Sequence, residues 1–349
     1  MEPQWDVVAD LQSKFTAAPR PLAFKGSSQA DWQAWQEALD ARLMGLMAPW
    51  PEPVETVLRP LGDPIDKPGH IVQRVAYPVE AGLEATAWLL KPKQPRVLAS
   101  GKSPAVVALH GHGAGGSHSV AGNPLGLPGL ESEINGHNYD YAAQLADRGY
   151  FVLAPDARGW GDRGPIFAKA WPGRDGCNVA HIMGELTGWC LQTLNTSDDM
   201  RALDVLAALP EVDGEALGAL GLSFGGTRTL YLAATDRRVK CAVVACYLSL
   251  WSSYAIGMGN FCGSQYVPKL GAECELPDLF GLIAPRPLLC EVGEKDDGFP
   301  VQASLEAWAQ VARIYQAAGV PEKAALDLFD GGHQFSGRLA FDFLAKWLG

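Results

Sequence analysis

The chain has 349 residues, 48% of them hydrophobic and 19% charged, and its formal net charge is −11. This composition is typical of a globular protein with a large core, and the acidic balance argues against nucleic acid as a partner, because nucleic acid binding needs a basic face. No apolar run approaches the length of a membrane span and the first residues lack a secretory segment, so we expect no membrane partner and a cytoplasmic location.

Residues 1–65 are predicted to form a helical extension. Apolar side chains recur there at the three- and four-residue spacing that marks one face of a helix, at Trp32, Trp35, Leu39, Leu43 and Met47. This stripe needs a surface that covers it. We expect it to pack on the main domain; a subunit interface, which would make the chain a homo-oligomer, is the alternative. Four prolines between residues 51 and 64 then indicate a linker.

From residue 66 to residue 349, apolar runs typical of buried strands alternate with helical patterns. Six continuous runs lie at 105–109, 150–154, 217–222, 241–246, 287–292 and 325–329. Such alternation predicts an α/β domain with a mostly parallel central sheet and helices on both faces. Functional residues of such sheets lie at the carboxyl ends of the strands. Two long connections, at about 113–140 and 160–196, are predicted to be loop insertions.

The segment after the run that ends at Leu109 reads His-Gly-His-Gly-Ala-Gly-Gly. Its residues 111–116 match the G-x-G-x-x-G dinucleotide fingerprint, which requires a helix to begin at once, but glycines and prolines continue to residue 129. A metal site built on His110, His112 and His118 is not expected either, because no carboxylate or cysteine lies nearby in sequence at ligand spacing. The seven cysteines are scattered without a metal-site or disulfide pattern. We therefore expect neither a cofactor nor a metal.

The most informative motif is Gly221-Leu222-Ser223-Phe224-Gly225, a G-x-S-x-G pattern between an apolar strand and a helix. A serine hydroxyl is a useful nucleophile only when it is held in an exposed position beside a general base. A sharp turn from strand to helix provides that position, and the flanking glycines let two backbone segments approach closely. Ser223 is therefore the predicted nucleophile.

The predicted base and its orienting acid follow later strands. His333 lies in the loop between the last predicted strand and the last predicted helix, next to two glycines. A carboxylate should hold its imidazole in the tautomer that can accept a proton. Asp296 and Asp297 both follow the run 287–292; their spacing to the flanking glycine and proline favours Asp296, and Asp297 is the alternative.

Backbone N–H groups are expected to stabilise the negative oxygen of a tetrahedral intermediate. In this architecture one comes from the loop after an early strand and one from the residue after the nucleophile, which assigns the N–H groups of His112 and Phe224. Aromatic side chains in and near the insertion 160–196 are candidates for lining a substrate pocket: Trp160, Phe167, Trp171, Trp189 and Trp251.

Together these motifs resemble the α/β-hydrolase superfamily over about residues 70–349. The segments that carry the resemblance are HGHGAGG, PDARGWGDR, GLSFGG, GEKDDGFP and GGHQF. Within the superfamily the chain is similar to serine esterases of the acetyl-xylan-esterase-like and dienelactone-hydrolase-like families, although dienelactone hydrolases proper carry cysteine at the nucleophile position. The resemblance implies an α/β-hydrolase fold, with Ser223, His333 and Asp296 as nucleophile, base and acid.

The expected activity is hydrolysis of carboxylic esters through an acyl-enzyme intermediate, with short-chain acyl or acetyl esters as the small-molecule substrates. A peptidase or amidase of the prolyl-oligopeptidase type, or a lactonase, would use the same three residues. A non-catalytic binding protein on the same fold is the remaining alternative, because a fold does not determine a function.

Overall fold

The computed structural model describes residues 6–113, 115–164, 176–260 and 262–349. Phe167 and Trp171, two of the candidate pocket residues, lie outside this described part. Its α-helices are α1 (Val7–Thr16), α2 (Gln29–Met47), α3 (Ser117–Val120), α4 (Leu130–His137), α5 (Tyr141–Asp147), α6 (Gly176–Thr187), α7 (Leu191–Ala208), α8 (Phe224–Thr235), α9 (Leu276–Gly281), α10 (Val301–Ala317) and α11 (Ala340–Leu348). Within these described residues, no helix has both the length and the apolar character needed to cross a lipid bilayer.

The strands form one ten-stranded sheet. They are β1 (Arg59–Pro60), β2 (Ile65–Asp66), β3 (His70–Glu80), β4 (Leu83–Pro92), β5 (Ser103–Leu109), β6 (Phe151–Pro155), β7 (Val212–Leu222), β8 (Val239–Ala245), β9 (Leu288–Gly293) and β10 (Ala324–Phe329). The order is β1-β3-β4-β6-β5-β7-β8-β9-β10, with β2 paired to β3. Along this order, the neighbouring strands β6, β5, β7, β8, β9 and β10 run parallel to one another. The pairs β1–β3, β2–β3, β3–β4 and β4–β6 are antiparallel. The predicted α/β fold with a mostly parallel sheet is confirmed.

Helices cover both faces of this sheet, which explains why its central strands are apolar along their whole length. One face packs against α2, α7, α8 and α10, through residues such as Leu43, Leu203 and Val311. The other face packs against α5 and α11, through residues such as Leu145 and Leu344. Every residue of β5 is buried, as expected for a strand enclosed on both sides.

The parallel strands bring the predicted site residues to one edge of the sheet. His112 follows β5, Ser223 follows β7, Asp296 follows β9 and His333 follows β10. Since these strands are parallel, their carboxyl ends all point to the same side, where sheets of this kind carry their sites.

The N-terminal helix α2 packs on this domain. Its buried residues are Trp32, Gln36, Leu39, Leu43 and Met47. The Gln36 side-chain amide donates to the carbonyl oxygen of Ala284 at 2.6 Å. Other residues of the same chain cover the apolar stripe of α2, which belongs to the hydrophobic core. The sequence predicts a linker at residues 51–64, but β1 lies within this segment and β2 directly follows it. Both strands pair with β3, so the sheet begins before residue 66.

Candidate active site

The predicted nucleophile sits at a sharp turn between β7 and α8. Ser223 has φ +62° and ψ −120°, a positive-φ conformation that a residue with a side chain rarely adopts. Its backbone N–H donates to the carbonyl oxygen of Ala245 at 2.9 Å, which anchors the turn to the neighbouring strand β8. The Ser223 side chain is half-buried and lines an open pocket. Strained backbone of this kind is concentrated at functional sites, where it aims a side chain.

The glycines on both sides of Ser223 are required by close backbone contacts. A Cβ atom on Gly221 would collide with the carbonyl oxygen of Gly225. A Cβ atom on Gly225 would collide with the carbonyl oxygen of Leu109 at the end of β5. The spacing of the motif therefore has a steric cause, and the loop after β5 is held directly against the turn that carries Ser223.

His333 and Asp296 are joined by a hydrogen bond. The Nδ1 atom of His333 lies 2.7 Å from Oδ2 of Asp296, and the Asp296 side chain is buried. The other carboxylate oxygen, Oδ1, accepts the backbone N–H groups of Gly298 and Phe299 at 2.9 and 3.1 Å. The Phe299 ring stacks on the imidazole of His333, with centroids 5.5 Å apart and planes 11° apart. Asp297, the alternative acid, is exposed at the rim of the pocket.

Ser223 and His333 line one cavity of about 590 Å³. A smaller neighbouring cavity of about 230 Å³ is also lined by both residues, together with Tyr139. His112 lines both cavities, so the loop after β5 borders the predicted nucleophile. The structure thus gathers residues from the ends of β5, β7 and β10 around one space that a small molecule can enter.

Of the two predicted oxyanion donors, His112 lines this space and Phe224 directly follows Ser223. Phe224 is the first residue of α8, where a backbone N–H has no partner within the helix and the helix dipole favours negative charge. The N–H of Gly111 donates to the hydroxyl of Tyr139 at 2.6 Å, which holds the loop that carries His112. These positions are compatible with stabilising a negative oxygen, as an acyl-transfer intermediate requires.

The contacts of His110 indicate that its ring has a structural role. Its Nδ1 atom lies 2.8 Å from the carbonyl oxygen of Gly111, and its Nε2 atom accepts the N–H of Ala157 at 3.0 Å, so the ring is neutral with its proton on Nδ1. Burial, aided by the charge of Arg228, holds the pKa of His110 well below its usual value. The ring therefore packs the loop after β5 in one orientation.

The candidate pocket tryptophans have different surroundings. The ring of Trp160 lies 5.3 Å from that of His112, behind the wall of the pocket. Trp251 is buried and lines a separate cavity of about 270 Å³ with Phe15, so the structure places it away from Ser223. Trp189 is half-buried and is not among the described residues that line the cavities beside Ser223. Phe299, which sequence reasoning missed, does line the pocket beside Ser223.

An ion pair behind the nucleophile was also missed. Arg228, five residues after Ser223, is buried, and its Nε and Nη2 atoms donate to the carboxylate of Asp199 at 3.0 and 2.6 Å. Asp199 lies on α7 and is buried as well. The pair ties α8 to α7 beneath the turn that carries Ser223. No periodic pattern in the sequence signals this pair, because the buried residues of α7 also include Gln192, Asn195 and Thr196.

Replacing Arg228 with leucine is expected to lower the free energy of unfolding by about 3–5 kcal/mol, because Asp199 would remain buried without a counter-charge. Urea denaturation measures this change. The matched control is the double variant Arg228→Leu with Asp199→Leu, which should recover most of the loss since neither charge is then left alone. Equal destabilisation of the single and double variants would contradict the assignment.

Comparison with known proteins finds similar hydrolases. Residues 130–254 match the family model described as the dienelactone hydrolase family. A curated relative, the candidate hydrolase YtaP of Bacillus subtilis (strain 168), is 27% identical over 292 residues, which cover 80% of this chain and 89% of that protein.

Two solved esterase structures are similar in fold. A candidate acetyl xylan esterase from Bacteroides fragilis superposes with a TM-score of 0.76 at 16% identity, over 94% of this chain and 83% of that one. A glucuronoyl esterase from Solibacter usitatus gives a TM-score of 0.64 at 15% identity, over 94% and 96% of the two chains. The chain has the α/β-hydrolase fold. Its central segment is similar to the dienelactone hydrolase family, and the resemblance predicted from the motifs is confirmed.

Proposed function

We propose that the chain is a serine carboxylesterase that hydrolyses short-chain acyl esters. The observation that supports this most directly is the strained, positive-φ Ser223 in one pocket with His333, whose Nδ1 lies 2.7 Å from the carboxylate of Asp296. The similarity to the dienelactone hydrolase family and to solved acetyl xylan and glucuronoyl esterases agrees with the proposal.

In the proposed mechanism, the Ser223 hydroxyl attacks the ester carbonyl carbon while Nε2 of His333 takes its proton. Asp296 orients the imidazole and stabilises its charged form. The N–H groups of His112 and Phe224 hold the oxyanion, and each such donor typically contributes about 3 kcal/mol of transition-state stabilisation. The alcohol leaves with a proton from His333, and water then attacks the acyl-enzyme through the same groups in reverse.

The pocket lining favours a polar substrate without a free carboxylate. Asn260, Gln265 and Asp297 border the cavity beside Ser223, and among the described residues no lysine or arginine lines it. Without a lysine or arginine side chain to pair it, a carboxylate on the substrate would be repelled by Asp297. An acetyl or similarly short acyl group on a hydroxylated alcohol fits this lining.

Turnover of p-nitrophenyl esters of increasing acyl length, together with an acetylated monosaccharide and the p-nitroanilide of acetic acid, tests the proposal. We expect kcat/KM for the acetyl ester to exceed that for the octanoyl ester by about tenfold or more, because a site shaped for a short chain rejects added methylenes. Fastest turnover of the octanoyl ester would rule out the short-chain preference. Comparable turnover of the anilide and the ester would favour the amidase alternative instead.

A further inference from the structure

A cluster of two cysteines and one histidine borders the pocket of the predicted nucleophile. The ligand atoms of His112, Cys177 and Cys262 all lie within 4.8 Å of one another. The cysteines belong to segments far apart in sequence, on α6 and in the loop between β8 and α9. Proximity to both sulfurs distinguishes His112 from the nearby histidines His110 and His118.

We propose that His112, Cys177 and Cys262 bind one zinc ion. Two thiolates and one imidazole form a ligand set that zinc prefers over the harder magnesium and calcium ions. Zn–S and Zn–N distances of ~2.3 and ~2.1 Å in a tetrahedron separate ligand atoms by roughly 3.4–3.8 Å. The Nε2 atom of His112 lies 3.0 Å from Sγ of Cys262. Moving these two atoms apart by less than about 1 Å would therefore give the spacing that a zinc ion requires.

Each cysteine ligand has an outer hydrogen-bond partner at its sulfur atom. The indole N–H of Trp160 donates to Sγ of Cys177 at 3.1 Å, and Oγ of Ser264 lies 2.9 Å from Sγ of Cys262. The N–H of Gly263 donates to the side chain of Asn178 at 2.9 Å, which ties the two cysteine segments together. Metal sites characteristically hold their ligands through such outer contacts.

The side chain of Gln265, one end of which lacks a hydrogen-bond partner among the described residues, supports His112 as a metal ligand. Gln265 is buried, its Nε2 atom lies 3.4 Å from Nδ1 of His112, and its Oε1 atom has no hydrogen-bond partner within the described residues. The two ends of an amide are almost isosteric, so a half-turn of the side chain places Oε1 against the imidazole. Nδ1–H of His112 then donates to Oε1, and Nε2 presents its lone pair to the ion. This carbonyl–histidine–metal arrangement is the usual one.

The proposed site has room for a fourth ligand on its pocket side. His112 and Cys262 line the cavity beside Ser223, whereas Cys177 is fully buried. Three protein ligands and one water molecule complete a tetrahedral zinc site. Among the described residues, a second group of this kind comprises Cys246, Asp296 and His333, but it contains the predicted acid and base and belongs to the site described above.

Cobalt titration of the whole chain, reduced and freed of metal with a chelator, tests the proposal independently of esterase activity. We expect one Co²⁺ per chain, with the thiolate-to-cobalt charge-transfer bands and strong visible bands of a tetrahedral thiolate site, and displacement of both by Zn²⁺. Zn²⁺ should also raise the melting temperature, because it binds the folded chain. The substitutions Cys177→Ala and Cys262→Ala should each abolish the charge-transfer bands or weaken zinc binding by more than about 100-fold.

Two variants sharpen the test. Gln265→Ala should retain the thiolate bands but weaken zinc binding by about 10- to 100-fold, as loss of an outer contact does. Cys246→Ala, the matched control from the second group, should bind Co²⁺ as the unaltered chain does, and circular dichroism of each metal-free variant establishes that it is folded. Absence of thiolate bands in the reduced chain, or their survival when both Cys177 and Cys262 are replaced, would overturn the proposal. So would a Cys177–Cys262 disulfide in the purified chain whose reduction creates no cobalt site.

Discussion

Replacing Ser223 with alanine is expected to lower kcat for p-nitrophenyl acetate by about 10⁴-fold or more, because no other group can form the acyl-enzyme in its place. The backbone donors of the proposed oxyanion site would remain, so a residual rate above that of water is expected. Steady-state kinetics measure the loss, and a fluorophosphonate probe should label the unaltered chain but not the variant.

Ser249→Ala is the matched control for this experiment. Ser249 is buried beyond the carboxyl end of β8, and its hydroxyl has no hydrogen-bond partner in the part of the chain that the structure describes. Its removal should leave both labelling and turnover close to those of the unaltered chain. Labelling of the Ser223→Ala variant at another serine, with turnover retained, would disprove the assignment of the nucleophile.

Replacing Asp296 with asparagine is expected to lower kcat by about 10⁴-fold. Oδ1 of Asp296 accepts two backbone N–H groups, so the carbonyl oxygen of an asparagine would occupy that side and its NH₂ group would face His333. An NH₂ donor at Nδ1 forces the imidazole proton onto Nε2, and the base can then no longer accept the proton of Ser223. The positions of the site residues would be unchanged, but the imidazole of His333 would be in the tautomer that cannot accept the serine proton.

Asp297→Asn provides the comparison. Asp297 is exposed at the rim of the pocket, and the imidazole of His333 is held by Asp296 instead, so this substitution should change kcat by no more than about threefold, which corresponds to roughly 0.6 kcal/mol of activation free energy. The ratio of the two effects is therefore the informative quantity, with kcat and KM measured separately for each variant. A larger loss in Asp297→Asn than in Asp296→Asn would move the acid to Asp297.

The local parts of the site follow from the sequence. The G-x-S-x-G pattern predicts a tight turn because the contacts that require glycine at 221 and 225 involve the backbone of the turn and of the adjoining strand. The chain order of strands and helices predicts a parallel sheet, and such a sheet brings the ends of β5, β7, β9 and β10 to one side. The predicted positions of Ser223 and His333 at these ends needed no tertiary information.

The choice between the adjacent residues Asp296 and Asp297 does not follow from the sequence. Asp296 and Asp297 are adjacent in the chain, and spacing alone ranks them without excluding either. In the folded chain one carboxylate is buried 2.7 Å from the imidazole and the other is exposed, because successive side chains of a turn point in different directions.

By itself, the sequence determined the α/β architecture, the strained turn at Ser223 and the order of the candidate site residues, since each depends on local periodicity or on backbone sterics within a few residues. Only the tertiary structure decided that Trp251 lines a separate cavity, that Phe299 stacks on His333, and that Arg228 pairs with Asp199. It alone brought Cys177 and Cys262 to His112. These contacts join residues tens to hundreds of positions apart, and no repeat or spacing encodes them, because packing of whole elements sets which side chains meet.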